Sequence, residues 1–233
     1  KETGQYILSG MGELHLEVVV DRLGREFSVE ARVGKPMVSY RETVTEEATA
    51  HADYDRVLAG KRHKASARVT VAPAGEGKNE LKLGFESEEL PAELVEAAKA
   101  AVQEGFDAGP LAGYPVSGLE VSIDQLGIDP EHTTEMAVKA AVSQALREAS
   151  EKAGPVLLEP VMELNLMVPS EFMGEVIGDL QARKGQVEQI ATKGQMAMIR
   201  GYAPLTKLFG YSTDLRSLTQ GRGTFSMRFH RYD

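Results

Sequence analysis

At 233 residues, 42% apolar and 26% charged, the chain has room for one large or two ordinary domains and the balance of a folded protein. It has no cysteine, which excludes disulfides and Cys-ligated zinc, and no apolar run approaches the roughly 18 residues of a membrane span. The net charge of −9 sits in the middle: residues 36–153 hold 12 basic and 21 acidic side chains, whereas residues 154–233 hold nine and eight, so a local basic patch is compatible with the acidic whole. The start, Lys1-Glu2-Thr3-Gly4, has no secretory pattern, and a cytoplasmic location without membrane contact is expected.

In chain order, Leu16, Val19, Val20, Leu23 and Phe27 recur at helical spacing opposite Glu13, Glu17 and Asp21, with Asp21 four residues before Arg25. One such helix cannot bury its own stripe, so the chain is expected to begin inside a domain, residues 1–34. A Gly34-Lys35-Pro36 break precedes an extended run at Val38, Tyr40 and Thr43. Val69–Pro73 reads as a strand, and 74–79 as an exposed turn. Pro91 opens a helix that places Leu94, Val95, Ala98, Ala101, Val102 and Phe106 on one side, and Gly109-Pro110 ends it. Leu119–Ile123 alternates as a half-buried strand. A helix from Thr134 to Lys152 stops at Gly154-Pro155, which marks the boundary between a domain at 35–153 and one at 154–233.

After that boundary the pattern is strand (Leu158–Val168), helix (Ser170 as N-cap, to Arg183), strand (Val187–Thr192), strand (Met196–Ala203), helix (Pro204–Leu218) and strand (Thr224–Tyr232). This βαββαβ order is the ferredoxin-like arrangement, in an α+β protein. Arg183 and Lys184 close its first helix, where the dipole favours cations, and Gly185 suits the C′ position. The last strand, within Gly221–Phe229, superficially resembles the aromatic motif of an RNA-recognition motif. Alternation, however, puts Phe225, Met227 and Phe229 together on the core-facing side, whereas stacking aromatics belong on the open face.

No residue is assigned to catalysis or to a metal. The five histidines make no His-Glu-x-x-His spacing, His15 reads as a polar helix residue, and there is no Gly-x-Ser-x-Gly elbow or phosphate-loop spacing. The chain alone is therefore expected neither to bind nor to hydrolyse a nucleotide and to hold no cofactor. The basic island Gly60-Lys61-Arg62-His63-Lys64, with Arg68, reads either as a solvated loop or as a finger that meets phosphate. Asp124–His132 reads as a loop that feeds a helix through Thr133 and Thr134.

Several spaced blocks resemble one family, elongation factor G. Ser9–Glu17 with Asp21-Arg22-Leu23 looks like the end of its third domain. Gly34-Lys35-Pro36, Tyr40-Arg41-Glu42-Thr43 and Ala108–Val116 are similar to its fourth. Leu157–Pro160, Gly174–Leu180, Arg183-Lys184-Gly185, Leu208–Ser217 and Thr219–Gly223 are similar to its fifth. The resemblance implies a partial third-domain helix, a fourth domain like the second domain of ribosomal protein S5, and a ferredoxin-like fifth. It implies the C-terminal part of a monomeric translational GTPase that moves tRNA and mRNA on the ribosome, with GTP and Mg²⁺ held in a G domain outside these residues. The fourth-domain tip would lie beside the tRNA–mRNA duplex in the decoding region, and the fifth domain near large-subunit ribosomal RNA. The contact residues implied are Lys61, Arg62, His63, Lys64, Asp129 and His132 at the tip and Arg183, Lys184, Arg216 and Arg222 in the fifth domain.

The tip departs from the family pattern twice. Where the family carries a loop of Gly-Gly-Arg-Gly-Gln-Tyr-Gly-His type, this chain has 59–68, with one glycine, and Asp129 occupies the position of the tip histidine. An anion there would be repelled by phosphate, and fewer glycines restrict close backbone approach. The alternative reading is therefore a diverged paralogue, a non-catalytic ribosome-binding, recycling or protection-type factor.

Overall fold

The computed structural model describes residues 6, 8, 13–34, 37–75, 77–86 and 90–233; the Lys35-Pro36 break and the side chains of residues 13–15, Glu13 and His15 among them, lie outside the described set. The chain divides into two compact units, residues 40–158 and residues 1–39 with 159–233. Helix α1 (Glu13–Phe27) has Leu16, Val19, Val20 and Leu23 half-buried along one side and carries the Asp21–Arg25 pair at 3.0 Å.

In the unit of residues 40–158, β2 (Ala48–Leu58) and β3 (Lys61–Pro73) form a long antiparallel hairpin. Strand β5 (Leu119–Ile128) lies antiparallel to β3, and β4 (Glu80–Leu83) runs parallel to β5, giving the order β2-β3-β5-β4. Helices α2 (Ala92–Asp107) and α3 (Glu135–Lys152) cover one face of this sheet, the S5 domain 2-like arrangement. The six residues assigned by helical spacing to the inner side of α2 are its buried residues. Thr134 caps α3, its side chain accepting the Ala137 N–H at 3.3 Å. Strand β2 is absent from the sequence reading because its inward positions are Ala50, Ala52 and Tyr54, and alanine signals strand poorly. Tertiary packing overrides that propensity: small side chains on β2 and β3 let α3 lie close to the sheet.

A separate two-stranded sheet pairs β1 (Arg41–Val44) with β6 (Pro155–Leu158). Glu42 on β1 is buried, and its carboxylate accepts three backbone N–H groups, from Leu111 at 2.7 Å, Ala112 at 2.8 Å and Tyr114 at 3.0 Å. Gly109 packs directly on the Glu42 side chain, where a Cβ would clash. Two sequence blocks some 70 residues apart are thus one latch: a carboxylate supplies the acceptors that the irregular 109–116 loop cannot find in a sheet.

The C-terminal domain, 159–233, contains β7 (Pro160–Pro169), α4 (Met173–Ala182), β8 (Gln186–Lys193), β9 (Met196–Pro204), α5 (Tyr211–Leu218) and β10 (Thr224–Tyr232). The sheet order β10-β7-β9-β8 is the ferredoxin-like one expected. Its core is Leu164, Leu166, Val168, Val176, Leu180, Ile199, Tyr211 and Leu215.

Four local expectations are corrected here. Ser170 does not cap a helix: it opens a 3₁₀ turn before α4, and its hydroxyl has no hydrogen-bond partner. The second helix is shorter than its pattern, because a 3₁₀ turn at Leu205–Lys207 and a left-handed Gly210 (φ 80°) precede α5. At the end of α4 the left-handed residue is Lys184 (φ 59°), not Gly185. Lys184 N–H bonds to Gln181 O at 2.9 Å and Gly185 N–H to Leu180 O at 2.8 Å, a Schellman motif. The glycine is needed for proximity instead, since a Cβ there would strike Leu180. Finally, Phe225, Met227 and Phe229 do pair with Leu166, Leu164 and Met162 on the helix-side face, but only Phe225 packs into the core. Met227 is 47% exposed and Phe229 53%, because β10 is an edge strand and α5 is eight residues long.

Candidate nucleic-acid interface

The basic island is not a loop. Lys61, Arg62, His63 and Lys64 are the first residues of β3, and the connection to β2 is the two-residue turn Ala59-Gly60 with both φ values positive, 49° and 78°. That is the turn whose twist suits a hairpin, and it holds Ala59 in a conformation that costs an L-residue about 1–2 kcal/mol. Register pairs Leu58 with Lys61, Val57 with Arg62, Arg56 with His63 and Asp55 with Lys64. Residues 55–64 therefore place four cations, Arg56, Lys61, Arg62 and Lys64, and one anion, Asp55, at the end of a sheet whose unit is acidic.

These charges differ in how they are held. Arg62 makes a bidentate pair with Asp55, Nε–Oδ1 at 2.9 Å and Nη2–Oδ2 at 2.6 Å, which holds the Asp55 carboxyl below and the Arg62 guanidinium above its usual range. His63 Nδ1 lies 2.9 Å from the Thr134 hydroxyl, tying the strand to the α3 cap. Neither Lys61 nor Arg56 has an ion pair among the described residues, and both are exposed.

Asp129 follows β5, which runs to Ile128, so the predicted 124–132 loop is shorter than its sequence suggests. Its carboxylate is engaged on three sides: His132 Nδ1 at 3.1 Å, the Glu131 N–H at 3.1 Å and Lys64 Nζ at 3.6 Å. The His132 contact first, then the Glu131 N–H, holds its pKa below the usual carboxylate value. Thr133 completes the clamp, donating its hydroxyl to Lys64 O at 2.6 Å and accepting the Asp129 N–H at 2.7 Å. Asp129 is thus a turn-former whose charge is balanced in place, and it joins the 129–134 turn to the hairpin.

In the C-terminal domain, Arg183 is a strap between helices. Its guanidinium contacts Asp179 at 2.8 Å, Asp214 at 2.6 Å and Lys207 O at 2.9 Å, and lies over the Tyr211 ring at 5.0 Å. Burial pushes the Tyr211 hydroxyl up to about 12. Lys184 projects from the left-handed position beside this strap. Arg216 is exposed on α5, and Arg222 pairs with Glu171 at 2.6 Å and lies over Phe172. On the helix-free face of this sheet, buried Glu163 is held by Arg228 at 2.8 Å and Arg200 at 3.1 Å, with Arg228 the main cause of its lowered pKa.

Sequence reasoning brings together the cations of β3 and the 129–132 turn but misses Asp55, Arg56, Val57 and Leu58. The one local signal is weak: Ala50, Ala52 and Tyr54 alternate toward a Gly-containing turn, but alanine signals strand poorly. Among the described residues no group of His, Asp and Glu could hold a metal ion, and no helix is long and apolar enough to cross a membrane. A recess of about 340 Å³ beside Glu42 has its carboxylate already saturated by the 109–116 loop.

Comparison with known proteins gives three family matches in chain order: Elongation Factor G domain III over residues 1–35, Elongation factor G domain IV over 36–154, and Elongation factor G C-terminus over 156–233. Elongation factor G 2 of Syntrophus aciditrophicus (strain SB) is 45% identical over 234 residues, covering all of this chain and 35% of that protein. A crystal structure of a protein from Thermus thermophilus superposes with a TM-score of 0.84 at 30% identity, over 96% of this chain and 33% of that one. The chain spans about a third of the length of these relatives.

Proposed function

Because the chain belongs to the elongation factor G family, we propose that it is the ribosome-binding C-terminal portion of a translational GTPase that promotes tRNA–mRNA translocation, with the β2–β3 hairpin end directed at RNA. The observation that carries this is the concentration of Arg56, Lys61, Arg62 and Lys64 on one hairpin end in an otherwise acidic unit. Phosphate recognition needs cations where the backbone reaches farthest. On this reading GTP and Mg²⁺ are handled by another part of the protein, and the factor acts in the cytoplasm as a monomer.

A second reading, a ribosome-binding recycling or protection-type factor, draws on the same hairpin. Asp129 is built into a clamp, and the turn is held by Ala59-Gly60 where translocating relatives are expected to carry a glycine-rich loop. A phosphate loop in the rest of the protein would favour the first reading.

Replacing Lys61, Arg62 and Lys64 together by Ala in the full-length protein is expected to slow single-round translocation on programmed ribosomes and to flatten the salt dependence of binding by about one unit of slope per lost phosphate contact. Exposed charges act only within roughly 10 Å at 0.1 M salt, so an unchanged rate and slope would remove the hairpin from the interface. Asp129→Asn keeps the acceptor for the Glu131 N–H while deleting the charge. It should steepen the salt dependence, whereas Asp129→His, which also loses the turn, should not.

A further inference from the structure

The sheet of residues 40–158 outruns its helices at one end. Burial alternates along β2 as far as Tyr54, and then Asp55, Arg56, Val57 and Leu58 are all exposed. The α3 cap residue Thr134 reaches only to His63, so the rungs beyond it stand clear of the α3 cap. Those rungs carry two aliphatic side chains, Val57 at 67% exposure and Leu58 at 45%. A solvated hairpin end gains nothing from them, and an exposed apolar strand end invites aggregation.

Their cross-strand partners give the pair a use. Leu58 faces Lys61 and Val57 faces Arg62, and because neighbouring rungs point to opposite faces, each face of the tip shows one aliphatic beside one cation. The two faces are not equivalent. Arg62 is spent on Asp55, whereas Arg56, on the Leu58 face two residues away, and Lys61 have no ion-pair partner among the described residues. An apolar side chain with cations at its flanks complements a nucleic-acid base bracketed by its phosphates.

We propose that Leu58 is an apolar wedge that packs on the exposed face of a base at an end or break of an RNA stack, while Lys61 and Arg56, on the same face, hold the adjoining phosphates. Aliphatic wedges of this kind part base steps in other nucleic-acid complexes, and cations alone would supply affinity without reading a break in stacking. The assignment rests on the RNA-directed reading of the hairpin and adds a division of labour: Leu58 recognises unstacked bases and the cations supply salt-dependent affinity.

The test uses the full-length protein and programmed ribosomes whose message carries 2-aminopurine beside the decoded codon, a base analogue that brightens when unstacked. Binding of the parent should raise the fluorescence. Leu58→Ser should lose most of that rise while keeping the parent's salt slope and melting temperature, whereas Val57→Thr, on the opposite face, should keep the rise. Arg56→Ala with Lys61→Ala should weaken binding and reduce the slope by about 2, one per phosphate contact. If Leu58→Ser keeps the full rise while the cation variant loses slope, the wedge is overturned and the RNA-directed reading stands. If the parent itself binds with no salt slope and neither variant changes anything, the tip faces protein rather than RNA, and both fall.

Discussion

Two sheets in this chain carry helices on one face, and they are covered to different extents. In the 40–158 unit, α2 and α3 are 16 and 18 residues long, and Val69, Val71, Val121 and Ile123 beneath them have no exposure. In the C-terminal domain α5 is eight residues long, and Met227 and Phe229 on β10 stay half-exposed on the same face as fully buried Leu164. Alternation fixes the face of the sheet that a side chain takes; the length of the helix above fixes whether that side chain is dry. The hairpin end obeys the same rule, since the sheet continues past α3 and Leu58, on the face that the helices cover further in, emerges into solvent.

The largest expected effect comes from the covered side. Glu42→Ala strands three backbone donors inside the 109–116 loop, each worth about 1–3 kcal/mol, so urea unfolding should show a loss of at least about 3 kcal/mol, with Glu42→Gln milder because one acceptor remains. Next, Ile123→Ala should cost about 2–5 kcal/mol, as for a fully buried truncation. Phe229→Ala, by contrast, should cost about 1 kcal/mol, because half of its ring is already in water. Equal melting shifts for Ile123→Ala and Phe229→Ala would break the comparison and imply that β10 is covered in solution. The smallest effect is at the turn: Ala59→Asn, which tolerates a positive φ, should raise stability by about 0.5–1 kcal/mol without altering the register of β2 and β3.

Much of this was legible in the residues. Helical spacing named every buried residue of α2, and the βαββαβ order gave the C-terminal topology before any strand was paired. The missing parts share a cause. Strand β2 hid behind alanines, whose only merit is that they fit under α3. Lys184 holds the left-handed position, while Gly185 sits where Leu180 leaves no room for a Cβ, a demand set by packing and invisible in local propensity.

The sequence by itself determined the α+β class, the family, the position of the main helices and the residue types at the tip, because each depends on local periodicity or on blocks of adjacent residues. Tertiary structure alone decided that the basic island is a strand, that Asp129 is balanced by His132 and Lys64, and that Val57 and Leu58 share the tip with the cations. Those facts depend on cross-strand register and on where a helix ends above a sheet. Both are long-range quantities, set by how much apolar surface the chain buries as a whole rather than by any one stretch of it.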